Sequence, residues 1–294
     1  MFHQTFIVYY MNEVLKKVAL AKLKFDEAIP IKGGDINDAF RLERDGKSFF
    51  LKLNVADSFP ELFRKEADNL NYLAKINQLI LPNVIDHGIS QDNFQFLILE
   101  WLERKTPTEK SWIHLANNMA TLHRTHQENF GWTEDTYYGI VLQPNVASTQ
   151  WEEFFSENRI LPMAKLLRDK NLIGIRESQQ LDKYCKHINS FFPIEQPSLL
   201  HGDFWSGNIL PIENNQIALI DPSSYFGHRE MDLAMSKLFG GFDHQFYQTY
   251  QELYPLEETW QERLPYTQLY PLMLHALLFG GYYLDEVQTI LKKL

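Results

Sequence analysis

One cysteine, Cys185, is all that the chain contains, so no disulfide can form within it. A lone thiol fits a reducing cytoplasm, and its ordinary role is a buried structural one. Positive charge is also scarce. The 28 lysines and arginines stand against 38 acidic residues and leave a formal net charge of −10. That balance argues against nucleic acid or anionic membrane as a partner, and mildly suits a cationic small substrate. Long apolar runs are missing. Residues 269–284 are interrupted by Pro271, His275 and Gly280-Gly281, which makes them too short and too broken for a membrane span and predicts a buried helix. Residues 5–11 lack the basic flank and small-residue cleavage site of a signal peptide. Met11 is an alternative start, which would make the first ten residues an upstream extension. Internal repeats and low-complexity tracts are absent too. What is there is a 294-residue chain, 45% hydrophobic and 14% aromatic, enough for one large or two ordinary globular domains.

The periodicity predicts a helix over 12–24 and strands over 29–32, 39–44 and 47–54. Asp45-Gly46 between the last two is a hairpin signal. Gly33-Gly34-Asp35-Ile36-Asn37-Asp38 joins the first two. Glycines there let backbone N–H groups come close to phosphate, although most such pairs are simply turns. Lys52 alternates with Leu51 and Leu53. It is an ordinary strand lysine or, given an acidic partner, a phosphate ligand. Ser58-Phe59-Pro60-Glu61 reads as a capping-box start to a helix ending near Lys75. Glu66 falls within the apolar stripe of that helix, among Leu62, Phe63, Ala67, Leu70 and Leu73. A carboxylate there needs a partner, for which Lys52 is the natural choice, unless it reaches solvent at the stripe's edge. Further strands are expected over 80–87 and 94–102, a linker over 103–110, and helices over 111–127, 161–170, 179–192 and 229–239. His123 and His126 are three apart with no further ligand pattern, and are read as core or surface histidines.

The rest is organised around Leu199-Leu200-His201-Gly202-Asp203-Phe204-Trp205-Ser206-Gly207-Asn208. Asn208 follows Asp203 by five residues. Thirteen residues later the apolar run Ile217-Ala218-Leu219-Ile220 delivers Asp221-Pro222. A loop carboxylate can take the proton of a substrate hydroxyl. An asparagine and a second aspartate are hard oxygen donors suited to magnesium on nucleotide phosphates. The spacing resembles the catalytic loop and metal aspartate of protein kinases. The His-Gly-Asp-Phe-Trp-Ser-Gly-Asn loop, with Asp221-Pro222-Ser223-Ser224-Tyr225-Phe226-Gly227-His228-Arg229-Glu230 after it, is more specifically similar to the fructosamine kinase (ketosamine-3-kinase) family. That family is related to the aminoglycoside phosphotransferases. The similarity runs from about Asn12 to the end of the chain.

The resemblance implies a two-lobed α+β fold of the protein-kinase-like type. A small antiparallel-sheet lobe would occupy 1–102 and a mainly helical lobe 103–294, with ATP between them. It implies that the backbone of Gly33, Gly34, Asp35, Ile36 and Asn37 and the side chain of Lys52 position the phosphates, the Asp35 side chain pointing away. Glu66 would pair with Lys52, and backbone groups at Glu100 and Leu102 would meet the adenine. Asp203 would be the base, Asn208 and Asp221 the Mg2+ ligands, and His201 a brace for the loop. Asp232 would accept hydrogen bonds from the loop backbone, although an aspartate near a helix N-terminus is also stabilised by the helix dipole. Trp205 is a wall for the substrate sugar or a packing residue. The aromatic and amide-bearing segments at 130–132, 143–145 and 151–155 belong to the substrate side, without roles that the residues themselves reveal. The implied reaction moves the γ-phosphate of ATP to the 3-hydroxyl of a ketosamine, free or on a glycated lysine, as a step of deglycation repair in a cytoplasmic monomer or homodimer. The alternatives are a kinase for another small hydroxyl compound, such as an aminoglycoside or choline, and a nucleotide-binding protein without turnover.

Overall fold

The computed structural model describes residues 25–31, 37–76, 78–90 and 93–293. The helix expected over 12–24, the segment 5–11 and the four residues Gly33, Gly34, Asp35 and Ile36 lie outside them. The chain divides into two compact units. One comprises the described residues up to Lys75 together with Leu81–Arg104, the other Ile76–Ile80 together with Lys105–Leu294.

The smaller unit is built on a five-stranded sheet in the order β1-β2-β3-β5-β4, with β1 at Glu27–Pro30, β2 at Asp38–Arg44, β3 at Lys47–Val55, β4 at Val84–Ile89 and β5 at Phe94–Glu100. Every neighbouring pair is antiparallel. Asp45 and Gly46 both adopt positive φ, 50° and 71°, as a two-residue hairpin turn of the I′ class requires. Alternation then sorts the side chains. Phe40, Leu42, Leu51, Leu53, Phe96 and Ile98 form an apolar cluster. Lys52, paired in register with Ala39 and Leu97, points to the other face.

The helix α1, Leu62–Leu73, does not start as expected. No side chain caps it, and Glu61 at its N-cap has a left-handed backbone (φ 60°). The expected capping box from Ser58 does not form. Instead the Gln95 carbonyl of β5 accepts from Phe63 N at 3.3 Å, while its amide donates to Phe59 O at 2.7 Å. A distant strand residue thus satisfies an orphan donor that a local cap would otherwise take. The expected strand over 80–87 begins only at Val84. Ile80 belongs to the larger unit, where its carbonyl accepts from Leu219 N, and Pro82 has no N–H to give a ladder.

The larger unit is mostly helical, around one apolar core. Its first helix, α2 (Glu109–His123), starts two residues earlier than expected because Thr108 and Ser111 form the capping box there. Trp151–Phe155 and Leu161–Asp169 are joined through a π-helical turn, Ser156–Ile160, that the sequence reading did not anticipate. The helix expected over 179–192 is two helices, Ile175–Cys185 and Ile188–Phe191. The expected 269–284 helix is likewise two, Leu269–Phe279 and Gly281–Leu291, broken where Gly280 and Gly281 take positive φ. Among the described residues no helix is long and apolar enough to cross a membrane.

Candidate active site

The spacing of the loop residues has a structural cause. Asn208 is followed at once by the strand Ile209–Ile212, which hairpins into the strand Gln216–Leu219 with Ile209 opposite Leu219. The hairpin closes with Ile220 N donating to Asn208 O at 3.0 Å. Thirteen residues of sequence therefore return the chain to its starting point and set Asp221 beside Asn208. Asp221 itself has φ 55°, a left-handed conformation that costs a non-glycine residue about 1–3 kcal/mol and is held only by its surroundings.

Asp203 is held from two sides. The Asn208 amide donates to its carbonyl oxygen at 2.9 Å and to its Oδ2 at 2.7 Å. Asp203 as a residue is half-buried, yet its Oδ1 is shut off from solvent and finds no hydrogen bond of good geometry among the described residues. The Tyr138 hydroxyl faces that carboxyl and donates to Met235 Sδ at 3.5 Å. Burial pushes the Asp203 carboxyl up to about 7. The contacts with Asn208 and Tyr138 oppose the shift, and the charges of Asp221 and Asp232 add to it. A carboxyl tuned close to neutral is suited to exchanging a proton with a hydroxyl.

The backbone around Asp203 is fixed by Asp232, on the helix Glu230–Leu238. One of its oxygens accepts from Gly202 N at 2.9 Å, the other from His201 N at 2.7 Å and from His123 Nε2 at 3.1 Å. His123 in turn meets the Tyr250 hydroxyl at 2.8 Å through Nδ1. His201, fully buried, accepts from Asp203 N at Nδ1 and so donates from Nε2 to Ile220 O at 3.0 Å. Burial lowers its pKa, so it spans the loop as a neutral ring. Gly202 has φ 86°, and a Cβ there would lie 1.9 Å from Ser223 O. Only glycine lets the segment at Ser223 pass that close. Trp205 lies across Gly207, where a Cβ would meet its ring at 2.3 Å, and touches Phe239 edge-on with centroids 5.1 Å apart.

In the smaller unit Lys52 Nζ meets Glu66 Oε1 at 2.7 Å, with only 8% and 12% of the side chains exposed. Of the expected glycine loop only Asn37 and Asp38 are described: Asp38 opens β2, and Asn37 Oδ1 accepts from Asn54 Nδ2 at 2.6 Å. The Glu100 carboxylate accepts from Asn83 Nδ2 at 2.6 Å. Leu102 lies just past the end of β5.

Whether Asn208 and Asp221 suit a magnesium ion can be judged from their chemistry. Two acceptors on Asp203 occupy the Asn208 amide nitrogen, which turns Oδ1, a hard donor, the other way. Asp221 adds a carboxylate. Two protein oxygens are what an ion that keeps phosphate and water ligands requires, so the donor set fits.

Three comparisons bear on this geometry. The family model described as fructosamine kinase matches residues 8–294. The chain belongs to the fructosamine kinase family. It is accordingly an ATP-dependent kinase. A protein of Enterococcus faecium provisionally named a ketoamine kinase is 33% identical over 281 residues, covering 94% of this chain and 98% of its own. One from Vibrio cholerae with the same provisional name is 35% identical over 269 residues, or 90% and 91% of the two chains. A crystal structure from Haemophilus somnus, provisionally named a fructosamine-3-kinase, superposes with a TM-score of 0.86 at 31% identity, covering 95% and 96%. The aminoglycoside phosphotransferase APH(4)-Ia matches with a TM-score of 0.63 at 18% identity over 96% and 98% of the two chains, which extends the protein-kinase-like fold to that group.

Several roles in this kinase's site were not read from the sequence, although Gln143 and Asn145 stand in a segment that was assigned to the substrate side. Tyr138 comes from the strand Thr136–Tyr138, remote from the loop in sequence. Gln143 donates to Ser223 Oγ at 2.7 Å and accepts from the Tyr270 hydroxyl at 2.7 Å, and Ser223 donates to Tyr137 O at 2.7 Å. This buried network steadies the segment that follows Asp221. Arg159, from the π-helical turn, holds Asn145 Oδ1 at 2.7 Å and stacks 4.3 Å from the Tyr225 ring centroid. The only available signal was the run of amides and aromatics at 143–159. His123, read as a core or surface histidine, lies in the core and contacts Asp232 there.

Proposed function

We propose that this kinase phosphorylates the 3-hydroxyl of a ketosamine, a fructosamine or ribulosamine on a free amine or on lysine, and so serves deglycation. One observation carries the reading: the Asn208 amide orients Asp203 Oδ2 at 2.7 Å while the hairpin returns Asp221 to the same place. Asp203 takes the hydroxyl proton through Oδ2, and the freed oxygen attacks the γ-phosphorus of ATP as the bond to ADP breaks. Asn208 and Asp221 hold magnesium, which neutralises charge on the phosphates when bound. Lys52, aligned by Glu66, and the backbone of Gly33, Gly34, Asp35, Ile36 and Asn37 position those phosphates. The backbone at Glu100 and Leu102 receives the adenine. Trp205, half-buried, offers its remaining surface to the sugar. His201 and Asp232 keep the loop in shape.

The test is a panel of acceptors with ATP and magnesium: lysine-linked ribulosamine and fructosamine, an aminoglycoside and choline. The phosphorus resonance of the product, coupled to the proton on carbon 3, gives the position. Turnover confined to ketosamines, with phosphate on O3, is expected. Preferential turnover of the aminoglycoside or choline, or phosphate on another oxygen, overturns the substrate assignment. ATP binding without any phosphorylated product overturns the catalytic one.

A further inference from the structure

Beyond the loop that carries Asp203 the larger unit holds an aromatic row of which the roles above use only Trp205. Trp205 touches Phe239 at 5.1 Å between centroids, and Phe239 touches His275 at 4.9 Å. His275 meets Tyr283 at 5.1 Å and Phe279 at 5.8 Å, and Tyr283 meets Tyr282 at 5.8 Å. The helix break creates the outer end. His275 and Phe279 are one turn apart on the same helix face. The positive φ of Gly280 and Gly281 then reverses the chain and brings Tyr282 and Tyr283 alongside. Inner members of the row, Trp205, Phe239 and Tyr283, are packed on the core. Its outer members are not: Phe279 is 53% exposed and Tyr282 68%.

Large aromatics left in water at the end of a row that starts in a catalytic loop are placed for a ligand that enters by that loop. The surrounding charge narrows the class. Asp285 and Glu286 follow Tyr282 and Tyr283 by one helical turn, and Asp285 is exposed. No lysine or arginine lies over these rings among the described residues. Ring faces beside carboxylates attract an apolar group that carries a positive charge. We propose that Phe279, Tyr282 and Tyr283 form a subsite for the amine-borne part of the acceptor, an apolar chain or ring attached to a protonated nitrogen. This rests on the ketosamine reading for the sugar, which stays at Trp205, and adds a determinant of which amines are accepted.

The experiment compares wild type with the Phe279→Ala/Tyr282→Ala double variant, both positions exposed enough to leave folding intact. Two acceptors share one sugar: the ketosamines of methylamine and of 4-phenylbutylamine. The variant is expected to lose about tenfold in kcat/KM on the second, through KM, as removal of one or two aromatic contacts would give. On the first it should stay within about twofold, with KM for ATP unchanged. Calorimetric binding of 4-phenylbutylammonium alone should weaken in parallel. Equal loss on both acceptors, or unchanged selectivity, overturns the subsite. So does ammonium binding that is absent or identical in the two proteins, whatever the turnover. If wild type phosphorylates no ketosamine yet binds 4-phenylbutylammonium and loses it in the variant, the subsite stands and the sugar reading falls.

Discussion

Lys52 and Asp203 are held in place by opposite means. Lys52 is positioned through its side chain, by the 2.7 Å ion pair with Glu66, between a strand and a helix that each have their own packing. Asp203 sits in a loop whose backbone is tied down: Asp232 accepts from His201 N and Gly202 N, and His201 links Asp203 N to Ile220 O. The difference teaches where tolerance lies. An ion pair can be weakened with its frame intact, so its loss should appear in ligand affinity. A buried carboxylate that satisfies several donors cannot be removed without leaving them unpaired, so its loss should appear in stability. Loss of the group that exchanges the proton should appear in rate, with no loss of stability.

The largest effect separates chemistry from scaffold. Asp203→Asn keeps the size and the contact with Asn208 but cannot take a proton, so kcat should fall about 10²- to 10⁴-fold, while the denaturation midpoint at neutral pH should rise because a buried charge is removed. Asp232→Ala should act the other way. It strands two backbone N–H groups and His123, and stability should drop by about 3–5 kcal/mol in a denaturant titration. A variant as stable as wild type would show that the loop is held elsewhere. Glu66→Gln keeps a hydrogen bond to Lys52 but removes the charge. KM for ATP should rise about tenfold, equivalent to about 1.4 kcal/mol, with the smallest stability change of the three.

The mildest effect concerns pH. Burial lowers the pKa values of His201, His228 and His275 from their usual 6.5. The unfolded chain then binds protons first as pH falls, so the stability these neutral rings contribute is complete above about 6.5 and lost below it. Asp203 works in the opposite sense, since its carboxyl, pushed up to about 7, is relieved by protonation in the folded state. Between pH 7.5 and 5.5 the midpoint should therefore fall modestly in wild type and more steeply in Asp203→Asn. Parallel profiles would mean that Asp203 is not buried as a charge.

The contrast also explains what could be read from the sequence. Asp203, Asn208 and Asp221 were legible because one loop and one hairpin hold them together, and their order encodes their geometry. The sheet was legible because alternation and Asp45-Gly46 are local signals. Lys52 and Glu66 needed only the two adjacent elements. The roles of Tyr138, Gln143, Arg159 and Tyr270 were not legible, since the contacts among them cross dozens of residues. Long-range contact also misled the reading of α1, where Gln95 supplied the cap that Ser58 was expected to provide; in the 269–284 run the cause was local, a glycine pair that outweighed apolar continuity.

The division of labour between the two regions is the central claim, and one paired measurement tests it most directly. ATP affinity and ketosamine-dependent kcat would be determined side by side for wild type, Glu66→Gln and Asp203→Asn. The account predicts that Glu66→Gln weakens ATP about tenfold with kcat largely kept, and that Asp203→Asn lowers kcat about 10²- to 10⁴-fold with ATP affinity within about twofold of wild type. If Asp203→Asn loses ATP as well, or Glu66→Gln loses kcat while ATP still binds normally, the claim is contradicted.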